Sequence, residues 1–291
     1  MPELPEVEIT ARLLGGALAG ARVRSAAAPG INALKTYDPP LAALEGLTVR
    51  RVGRRGKLLV LELGEEVGRE AAERQLVLLV HLMSAGRLQL FATRASARDR
   101  ASRLLVGLDD GRELRLREFG TRQRAWVKLL RAGALEQEET IAALGPEAWP
   151  HPPEDFGALL DQPRPLYALL RDQHVIAGIG RSWVDEILHA ARLSPFRRGS
   201  DLQDAEAQSL RRSTVETLER AIEHYAQTLS LPIPDKLPMP LRVHRRNGEP
   251  CPRCGERLEA VFYEDYVMCY CPCCQTEGRL LKDRRLSRLL K

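Results

Sequence analysis

The six cysteines of this chain all lie between positions 251 and 274, and this clustering constrains the fold more than any other feature. Two CxxC pairs bound the segment, Cys251 with Cys254 and Cys271 with Cys274, and sixteen residues separate the pairs. Two turns at this spacing bring four thiolates within tetrahedral reach of one ion. The pattern predicts one structural Zn²⁺ per chain. Because four sulfur ligands leave no open coordination position, the metal is expected to hold the fold together and not to catalyse.

The other two cysteines, Cys269 and Cys273, leave one alternative open. Cys269 and Cys271 form a CxC pair, so a different set of ligands could be chosen, although the spacing favours Cys271 and Cys274. The two extra thiols are expected to lie outside the metal site. A module of this size should lose its fold without its metal.

The length and composition indicate a chain of two modest domains. It has 291 residues, of which 44% are hydrophobic, and that is enough for two cores. No apolar run approaches the length of a membrane span, and the acidic start Met1-Pro2-Glu3 does not resemble a signal peptide. We expect a cytoplasmic monomer, and in that reducing compartment clustered cysteines indicate a metal site.

Positive charge is concentrated at the end of the sequence. Lys and Arg outnumber Asp and Glu by 44 to 39, and the sequence pI is about 9.0. Residues 278–291 carry one acidic residue, Asp283, against six basic ones: Arg279, Lys282, Arg284, Arg285, Arg288 and Lys291. Such a patch favours nucleic acid as a partner. A solvated amphipathic tail is the alternative.

The first part of the chain is typical of an antiparallel β-sandwich with flanking helices. Apolar residues at helical spacing predict a helix over about 5–19. Short apolar or alternating segments predict strands at 47–52, 57–63, 75–82, 87–91, 103–108, 113–117 and 124–130. Asp110-Gly111 is a strong hairpin signal between two of them. The predicted sandwich domain covers 1–131.

The remainder of the chain is predicted to be mostly helical, which makes the fold class α+β with two domains. A linker at 132–150 precedes helices near 154–161, 165–173, 183–192 and 202–229, the last capped by Ser200 or Asp201. A loop at 231–240 holds four prolines and cannot form regular structure. The predicted helical domain therefore spans 151–240, and the zinc hairpin with its basic tail spans 241–291.

Pro2 is a candidate nucleophile. If Met1 is removed, the nitrogen of Pro2 becomes a secondary amine that titrates near pH 8, roughly the value for an α-amino group. Glu3 and Glu6 could then move protons beside it. An amine with an acid/base partner is suited to Schiff-base chemistry on a sugar aldehyde. The alternative is that these residues merely start a helix.

A second candidate site is the turn that contains Gly178 and Gly180, followed by Arg181 and a helical segment. Two glycines before a helix expose backbone N–H groups that suit a phosphate. The turn would then contact a nucleic-acid backbone without reading the bases. An ordinary tight turn is the alternative.

These motifs occur in one order that resembles the formamidopyrimidine-DNA glycosylase / endonuclease VIII family of base-excision repair enzymes. The order is MPELPEVE, the Arg54-Arg55-Gly56-Lys57 turn, the Gly178–Gly180 turn and the double CxxC. The resemblance covers nearly the full chain. It implies an N-terminal β-sandwich, a zinc hairpin, and a helix–two-turn–helix motif that makes 151–240 a DNA-binding domain.

The resemblance also implies roles for individual residues. Pro2 resembles the nucleophile that attacks C1′ of a damaged nucleotide, and Glu3 the acid/base that assists ring opening. Glu6 matches a supporting acidic position, and Lys57 a lysine that contacts phosphate near the lesion. A Schiff base and β,δ-elimination would cut the strand, so the enzyme would be a DNA glycosylase and abasic-site lyase that needs no redox or nucleotide cofactor. Its partner would be double-stranded DNA with damaged bases or abasic sites, so the protein would be nucleoid-associated within the cytoplasm. The damaged base must leave the stack before it is removed.

The sequence departs from the family pattern at several points. Arg181 stands where the family usually has a phosphate-binding Asn, and Tyr266 where the zinc hairpin usually has an Arg. Phe119 is a candidate wedge for the gap left by the flipped base. The proline-rich 231–240 replaces a glycine-rich loop that caps 8-oxoguanine, which argues against assuming that substrate.

Another class of protein remains as an alternative. A non-catalytic binder of damaged or bent DNA could use the same scaffold. Retention of Pro2, Glu3 and Lys57 argues against it, because binding alone does not need them.

Overall fold

The computed structural model describes residues 1–30, 32–65, 75–95, 99–120 and 122–282. The chain forms two compact units. The first contains Met1–Ala143 and Ile222–Pro238, and the second contains Leu144–Ala221 and the chain from Met239 onward. Four positions of the predicted basic tail, Arg284, Arg285, Arg288 and Lys291, lie outside the described residues.

Eight strands of the first unit form two antiparallel four-stranded sheets. They are β1 (Val23–Ala27), β2 (Thr48–Arg55), β3 (Leu58–Gly64), β4 (Leu76–His81), β5 (Gly86–Phe91), β6 (Ser102–Leu108), β7 (Glu113–Glu118) and β8 (Trp126–Arg131). One sheet has the order β1-β6-β7-β5 and the other β2-β3-β4-β8. The predicted α+β class with an N-terminal β-sandwich is confirmed.

One hydrophobic core joins both sheets to the first helix, α1 (Leu4–Leu18). The helix contributes Val7, Leu14 and Leu18 to it, and β5 contributes Leu88 and Leu90. Successive residues of a strand point to opposite faces. Arg87 and Gln89 of β5 therefore face away from this core.

Strand β1 was not among the predicted strands. Its sequence, VRSAA, has only one residue with high β-propensity, Val23, and its burial follows no alternating pattern. The strand forms because it pairs with β6, with Val23 opposite Leu108. The predicted Asp110-Gly111 turn does join β6 to β7, and Gly111 has the positive φ of 90° that such a turn needs.

Short helices precede the long ones in the second half of the chain. A one-turn helix, α2 (Glu139–Ala142), ends the sandwich part of the first unit, and α3 (Phe156–Leu160), α4 (Leu166–Arg171) and α5 (Arg181–Ala191) follow in the second. Helix α6 (Asp204–Thr228) contributes its residues from Ile222 to the first unit. Every helix in the described segments is too short or too polar to span a bilayer.

The predicted start of α6 was wrong. Ser200 and Asp201 lie in a separate 3₁₀ turn, Gly199–Asp201, and the helix begins at Asp204. The side chain of Glu206 accepts a hydrogen bond from the N–H of Gln203 at 2.9 Å. A carboxylate inside the first turn thus satisfies the N–H before the helix, as in a capping box.

A hairpin and a short helix complete the second unit. The hairpin consists of β9 (Glu259–Phe262) and β10 (Val267–Tyr270), and the helix α7 (Pro272–Thr276) follows directly. Cys271 is the N-cap of α7, and its sulfur accepts from the N–H of Cys274 at 3.4 Å. The second CxxC pair is therefore shaped by a helix start.

Candidate active site and metal centre

The carboxylates of Glu3 and Glu6 are fixed at the start of α1. Glu3 is the N-cap, its side chain accepts from the N–H of Glu6, and its own N–H donates to Oε2 of Glu6 at 2.8 Å. This capping box, with Pro5 in the first turn, explains why the helix begins here. Glu3 and Glu6 are 2% and 1% exposed, and Pro2 is buried beside them. The residues that start the helix thus also place two carboxylates next to Pro2.

Tyr225 of α6 completes this group from far along the chain. Its hydroxyl donates to Oε1 of Glu6 at 2.8 Å, and its ring is fully buried. Burial, followed by the charge of Glu6, raises the pKa of Tyr225 well above its ordinary value, so the phenol stays a neutral donor. Both oxygens of Glu6 are therefore hydrogen-bonded, and its carboxylate is held in one orientation.

Arg87 lies close enough to Glu6, Tyr225 and Asp235 for each to act on its charge. Its side chain is half-buried, and its Nη1 donates to the carbonyl of Gly86 at 2.7 Å. Burial lowers the pKa of Arg87, and the nearby acidic groups oppose that shift. The guanidinium still carries its proton at neutral pH. Sequence reasoning missed both Arg87 and Tyr225, since neither belongs to a recognisable motif.

Lys57 occupies the turn between β2 and β3, directly after Gly56, whose φ is +53°. The side chain is mostly covered, with 9% of the residue exposed. Its charge acts on His81: burial, followed by the charge of Lys57, lowers the pKa of His81 to about 4. On β2, Arg54 pairs with Glu8 of α1 at 2.8 Å, which ties this hairpin to the first helix.

The proline-rich segment after α6 is attached to β5. The side-chain amide of Gln89 donates to the carbonyl of Ile233 and to Oδ1 of Asp235, the latter at 2.9 Å. Gln89 is only 2% exposed. A segment that the sequence marks merely as irregular is thus fixed on the outer face of the sheet.

The Gly178–Gly180 turn is held by hydrogen bonds to the side chain of Gln173. Gly178 has a φ of +106° and its N–H donates to Oε1 of Gln173 at 3.0 Å, while Nε2 of Gln173 donates to the carbonyl of Ile179 at 2.8 Å. Gly180 is the N-cap of α5. The N–H of Gly178 is therefore engaged by a side chain that sequence reasoning did not single out.

Arg181 begins α5 and reaches the β9–β10 turn of the same unit. Its guanidinium pairs with Asp265 at 2.6 Å and lies 5.1 Å from the ring centre of Tyr266. Both members of the ion pair are well exposed, with 42% and 65% of their side chains accessible. Tyr266 also stacks on Tyr263, with 4.3 Å between ring centres.

Four cysteines converge as the spacing predicts. The Sγ atoms of Cys251, Cys254, Cys271 and Cys274 all lie within 4.8 Å of one another. Two CxxC turns that bring four thiolates this close are suited to a tetrahedral metal ion. Cys269 is outside the group, and its sulfur accepts instead from the N–H of Arg245 at 3.2 Å. The described cluster can hold a metal ion with no contribution from Cys269 or Cys273.

Helix α5 anchors this cysteine hairpin. Oε1 of Glu186 accepts three backbone N–H groups, from Arg242, Val243 and His244, at 2.9 to 3.1 Å. At the other end of the helix, Arg253 donates to the carbonyls of His189 and Ala190. The carboxylate of Glu186 is thus structural, and Arg253 satisfies carbonyls that the helix end leaves open.

A β-sandwich with buried carboxylates at its first helix, combined with a helical unit and a four-cysteine hairpin, defines a class of DNA base-excision glycosylases. Family models agree. The formamidopyrimidine-DNA glycosylase N-terminal domain matches residues 1–123, and the formamidopyrimidine-DNA glycosylase H2TH domain matches residues 153–232. The chain belongs to the formamidopyrimidine-DNA glycosylase family. The predicted family and enzyme class are confirmed.

Individual relatives support this membership over nearly the whole chain. A formamidopyrimidine-DNA glycosylase of Thermus thermophilus is 35% identical over 96% of this chain and all of its own length. An uncharacterised formamidopyrimidine-DNA glycosylase-like protein of Mycobacterium tuberculosis is 39% identical over 51% of this chain. The structure of Lactococcus lactis Fpg bound to DNA with N7-benzyl-Fapy-dG superposes with a TM-score of 0.81, at 26% identity, over 94% of this chain.

Proposed function

We propose that this chain removes damaged bases from DNA and cleaves the resulting abasic site, with the amine of Pro2 as nucleophile. The observation that carries the proposal is the buried group at the start of α1. There Glu3 and Glu6 lie beside Pro2, and Tyr225 fixes Glu6 at 2.8 Å. Burying two carboxylates costs free energy of folding even when they are hydrogen-bonded. Acid/base assistance to an amine is a function that would explain why both are kept here.

The proposed chemistry starts with the lone pair of the Pro2 nitrogen. It attacks C1′, the glycosidic bond breaks, and the base leaves with a proton. Glu3 protonates the ring oxygen as the sugar opens, which leaves an iminium on Pro2. Loss of a C2′ proton then breaks the C3′–O bond, and a further proton loss breaks the C5′–O bond. Water hydrolyses the iminium and restores the amine.

The proposed DNA contacts lie on the two units separately. Lys57 in the first unit, and Gly178, Gly180 and Arg181 in the second, would bind phosphates. Because the Arg181–Asp265 pair is exposed, it contributes little stability. A phosphate, which accepts bidentate hydrogen bonds from a guanidinium, could therefore replace Asp265.

For the metal centre we propose one structural Zn²⁺ held by Cys251, Cys254, Cys271 and Cys274. Bound there, zinc would stabilise the fold of the hairpin and would have no open coordination position for catalysis, since all four ligands are thiolates. The four sulfur atoms all lie within 4.8 Å of one another, and a donor set of four thiolates fits zinc. The cysteine hairpin is anchored to α5, the helix that begins at Arg181, so the metal would also steady the proposed phosphate contact.

The substrate we propose is double-stranded DNA that carries a damaged base or an abasic site. Solved structures of Lactococcus lactis Fpg contain DNA with an abasic site or with a Fapy-dG base. An enzyme with this substrate would work on the chromosome. Which damaged base this chain prefers depends on the groups that face the base.

Borohydride trapping on a duplex with a single abasic site tests the proposal. We expect a covalent adduct, located on Pro2 by mass spectrometry, and its loss in Pro2→Gly. Binding to the same duplex should persist in the variant, which separates an enzyme from a non-catalytic DNA binder. If zinc-loaded protein with a free Pro2 bound the duplex and gave no adduct, the lyase would be excluded and the binder favoured.

A further inference from the structure

The outer face of the sheet next to Glu6 has two arginines directly opposite each other and a third beside them. Arg87 of β5 is directly opposite Arg117 of β7, and Gln89 is opposite Arg115. Like charges at paired positions destabilise an antiparallel sheet. An arrangement of this kind needs compensation, either from acidic neighbours or from a ligand.

Acidic neighbours form direct ion pairs with two of the three arginines. Nε of Arg115 pairs with Glu113 at 2.6 Å. Arg117 lies 3.4 Å from Asp99 and 3.5 Å from Asp235. Both guanidiniums also stack on Phe91, the closer at 4.2 Å from the ring centre. The positive charges of Arg115 and Arg117 are therefore balanced by neighbouring residues and need no ligand.

Arg87 differs from them, because Glu6 and Asp235 act on its charge but no carboxylate of the described residues forms a direct ion pair with it. Its Nη1 donates to the carbonyl of Gly86, whereas its Nε is buried and makes no hydrogen bond within the described part of the chain. Nε of Arg117 also lacks a hydrogen bond, but a carboxylate of Asp99 lies beside it. A buried donor without an acceptor is unfavourable. The guanidinium of Arg87 is thus incompletely satisfied by the described residues, and because the side chain as a whole is only half-buried, part of it is open to an incoming acceptor.

The position of Arg87 indicates what that acceptor is. The guanidinium acts electrostatically on Glu6 and Tyr225, and Glu6 is bonded to Glu3, the neighbour of Pro2. If Pro2 attacks C1′, the base on that carbon must lie within a few ångströms of Pro2. A guanidinium donates readily to the carbonyl oxygens of a base edge. Oxidation often adds carbonyl groups to bases, and each added carbonyl oxygen is a further acceptor for the guanidinium of Arg87.

We infer that Arg87 is a specificity-determining residue that binds the extruded base through its carbonyl oxygens. The inference rests on the proposed function of Pro2. It makes carbonyl-rich oxidised bases, such as hydantoins, the substrate class that this position recognises. Since Arg87 would touch the base and not the sugar, it is needed for base removal and dispensable at a site that has already lost its base.

Single-turnover cleavage of two otherwise identical duplexes, one with a hydantoin and one with an abasic site, tests the inference. We expect Arg87→Met to slow cleavage of the hydantoin duplex about 10- to 100-fold, the loss typical of a hydrogen bond to a charged group. Cleavage at the abasic site should stay within about twofold of wild type, and Arg87→Lys should give an intermediate rate with hydantoin.

Arg115→Met is the matched control, because it removes a guanidinium from the same sheet face. It should leave the ratio of the two rates unchanged, and this ratio also corrects for partial misfolding of any variant. If Arg87→Met does not fold, Arg87→Lys is judged by the same ratio. An unchanged ratio in the Arg87 variants overturns the inference. Wild-type protein that cuts only the abasic duplex overturns the substrate class, and protein that cuts neither refutes the proposed function itself.

Discussion

At the scale of single residues, Glu6 shows how one side chain can stabilise the start of a helix and also belong to the proposed catalytic group. One of its oxygens accepts the N–H of Glu3 and the other accepts the hydroxyl of Tyr225. A carboxylate with these bonds satisfies the helix start and is held at a fixed angle beside Pro2. Its orientation therefore depends on a residue more than two hundred positions away in the sequence.

Removal of the Tyr225 hydroxyl tests this dependence. Tyr225→Phe leaves a buried carboxylate oxygen of Glu6 without its donor, so we expect the free energy of unfolding to fall by about 1–3 kcal/mol. Urea denaturation measures it. Tyr37→Phe is the control, because Tyr37 is 82% exposed and should change stability by less than about 0.5 kcal/mol. Equal stability of the two variants would contradict the proposed role of Tyr225.

His81 gives a prediction on pH. Its Nδ1 accepts the N–H of Met83 at 2.9 Å and its ring stacks on Trp126. Burial and Lys57 lower its pKa to about 4, whereas an unfolded histidine titrates near 6.5. Between these values the unfolded chain binds more protons. The stability from His81 is therefore complete above about pH 6.5 and declines as the pH falls toward 4.

The measurement is the free energy of unfolding of wild type and His81→Gln from pH 7 to pH 4.5. Wild type should lose up to about 1 kcal/mol per pH unit more than the variant, since part of His81 is solvated. His189, whose pKa is also lowered to about 4, is present in both proteins and cancels in the difference. Parallel pH profiles would show that His81 does not titrate in this range.

At the scale of elements, the sequence was sufficient wherever a local pattern determines the structure. Seven of the eight sandwich strands and the long helices follow from apolar periodicity, and the CxxC spacing identifies the four sulfurs that converge. Strand β1 could not be predicted, because only its pairing with β6 makes it a strand. Tyr225, Arg87 and Gln89 could not be assigned either, since their partners are distant in sequence and join no motif.

The cysteine hairpin allows a matched test at this scale. Cys254→Ser removes one of the four converging sulfurs, while Cys273→Ser changes an exposed cysteine two positions after Cys271 that is outside the group. We expect purified wild type and Cys273→Ser each to release one zinc ion per chain on thiol modification. Cys254→Ser should bind zinc weakly, melt at a lower temperature and lose affinity for DNA.

Metal content by mass spectrometry and melting by calorimetry provide the two readouts. Loss of zinc from both variants would place Cys273 among the ligands and revise the predicted set. Full zinc content in Cys254→Ser would remove Cys254 from it. The same comparison with Cys269→Ser examines the CxC alternative, because Cys269 is buried and bonded to Arg245 instead of joining the cluster.

At the scale of the whole molecule, the modest net charge of +5 means that DNA binding depends on where the cations lie. Each phosphate neutralised on duplex DNA contributes about 0.9 to the slope of log affinity against log salt. Arg181 is the informative cation, because its exposed pair with Asp265 is weak enough to exchange for a phosphate. The salt slope reports that exchange directly.

The salt slope is best measured with a tetrahydrofuran abasic analogue, which cannot form a Schiff base with Pro2. Arg181→Ala should lower its magnitude by about 0.9. Arg246→Ala removes a similarly exposed arginine, paired with Glu249 at 3.1 Å, and should leave it unchanged. Asp265→Asn should tighten binding, because it removes the carboxylate that competes with phosphate. If Arg181→Ala and Arg246→Ala gave the same slope as wild type, Arg181 would remain paired with Asp265 on DNA and its role would be to hold the β9–β10 turn.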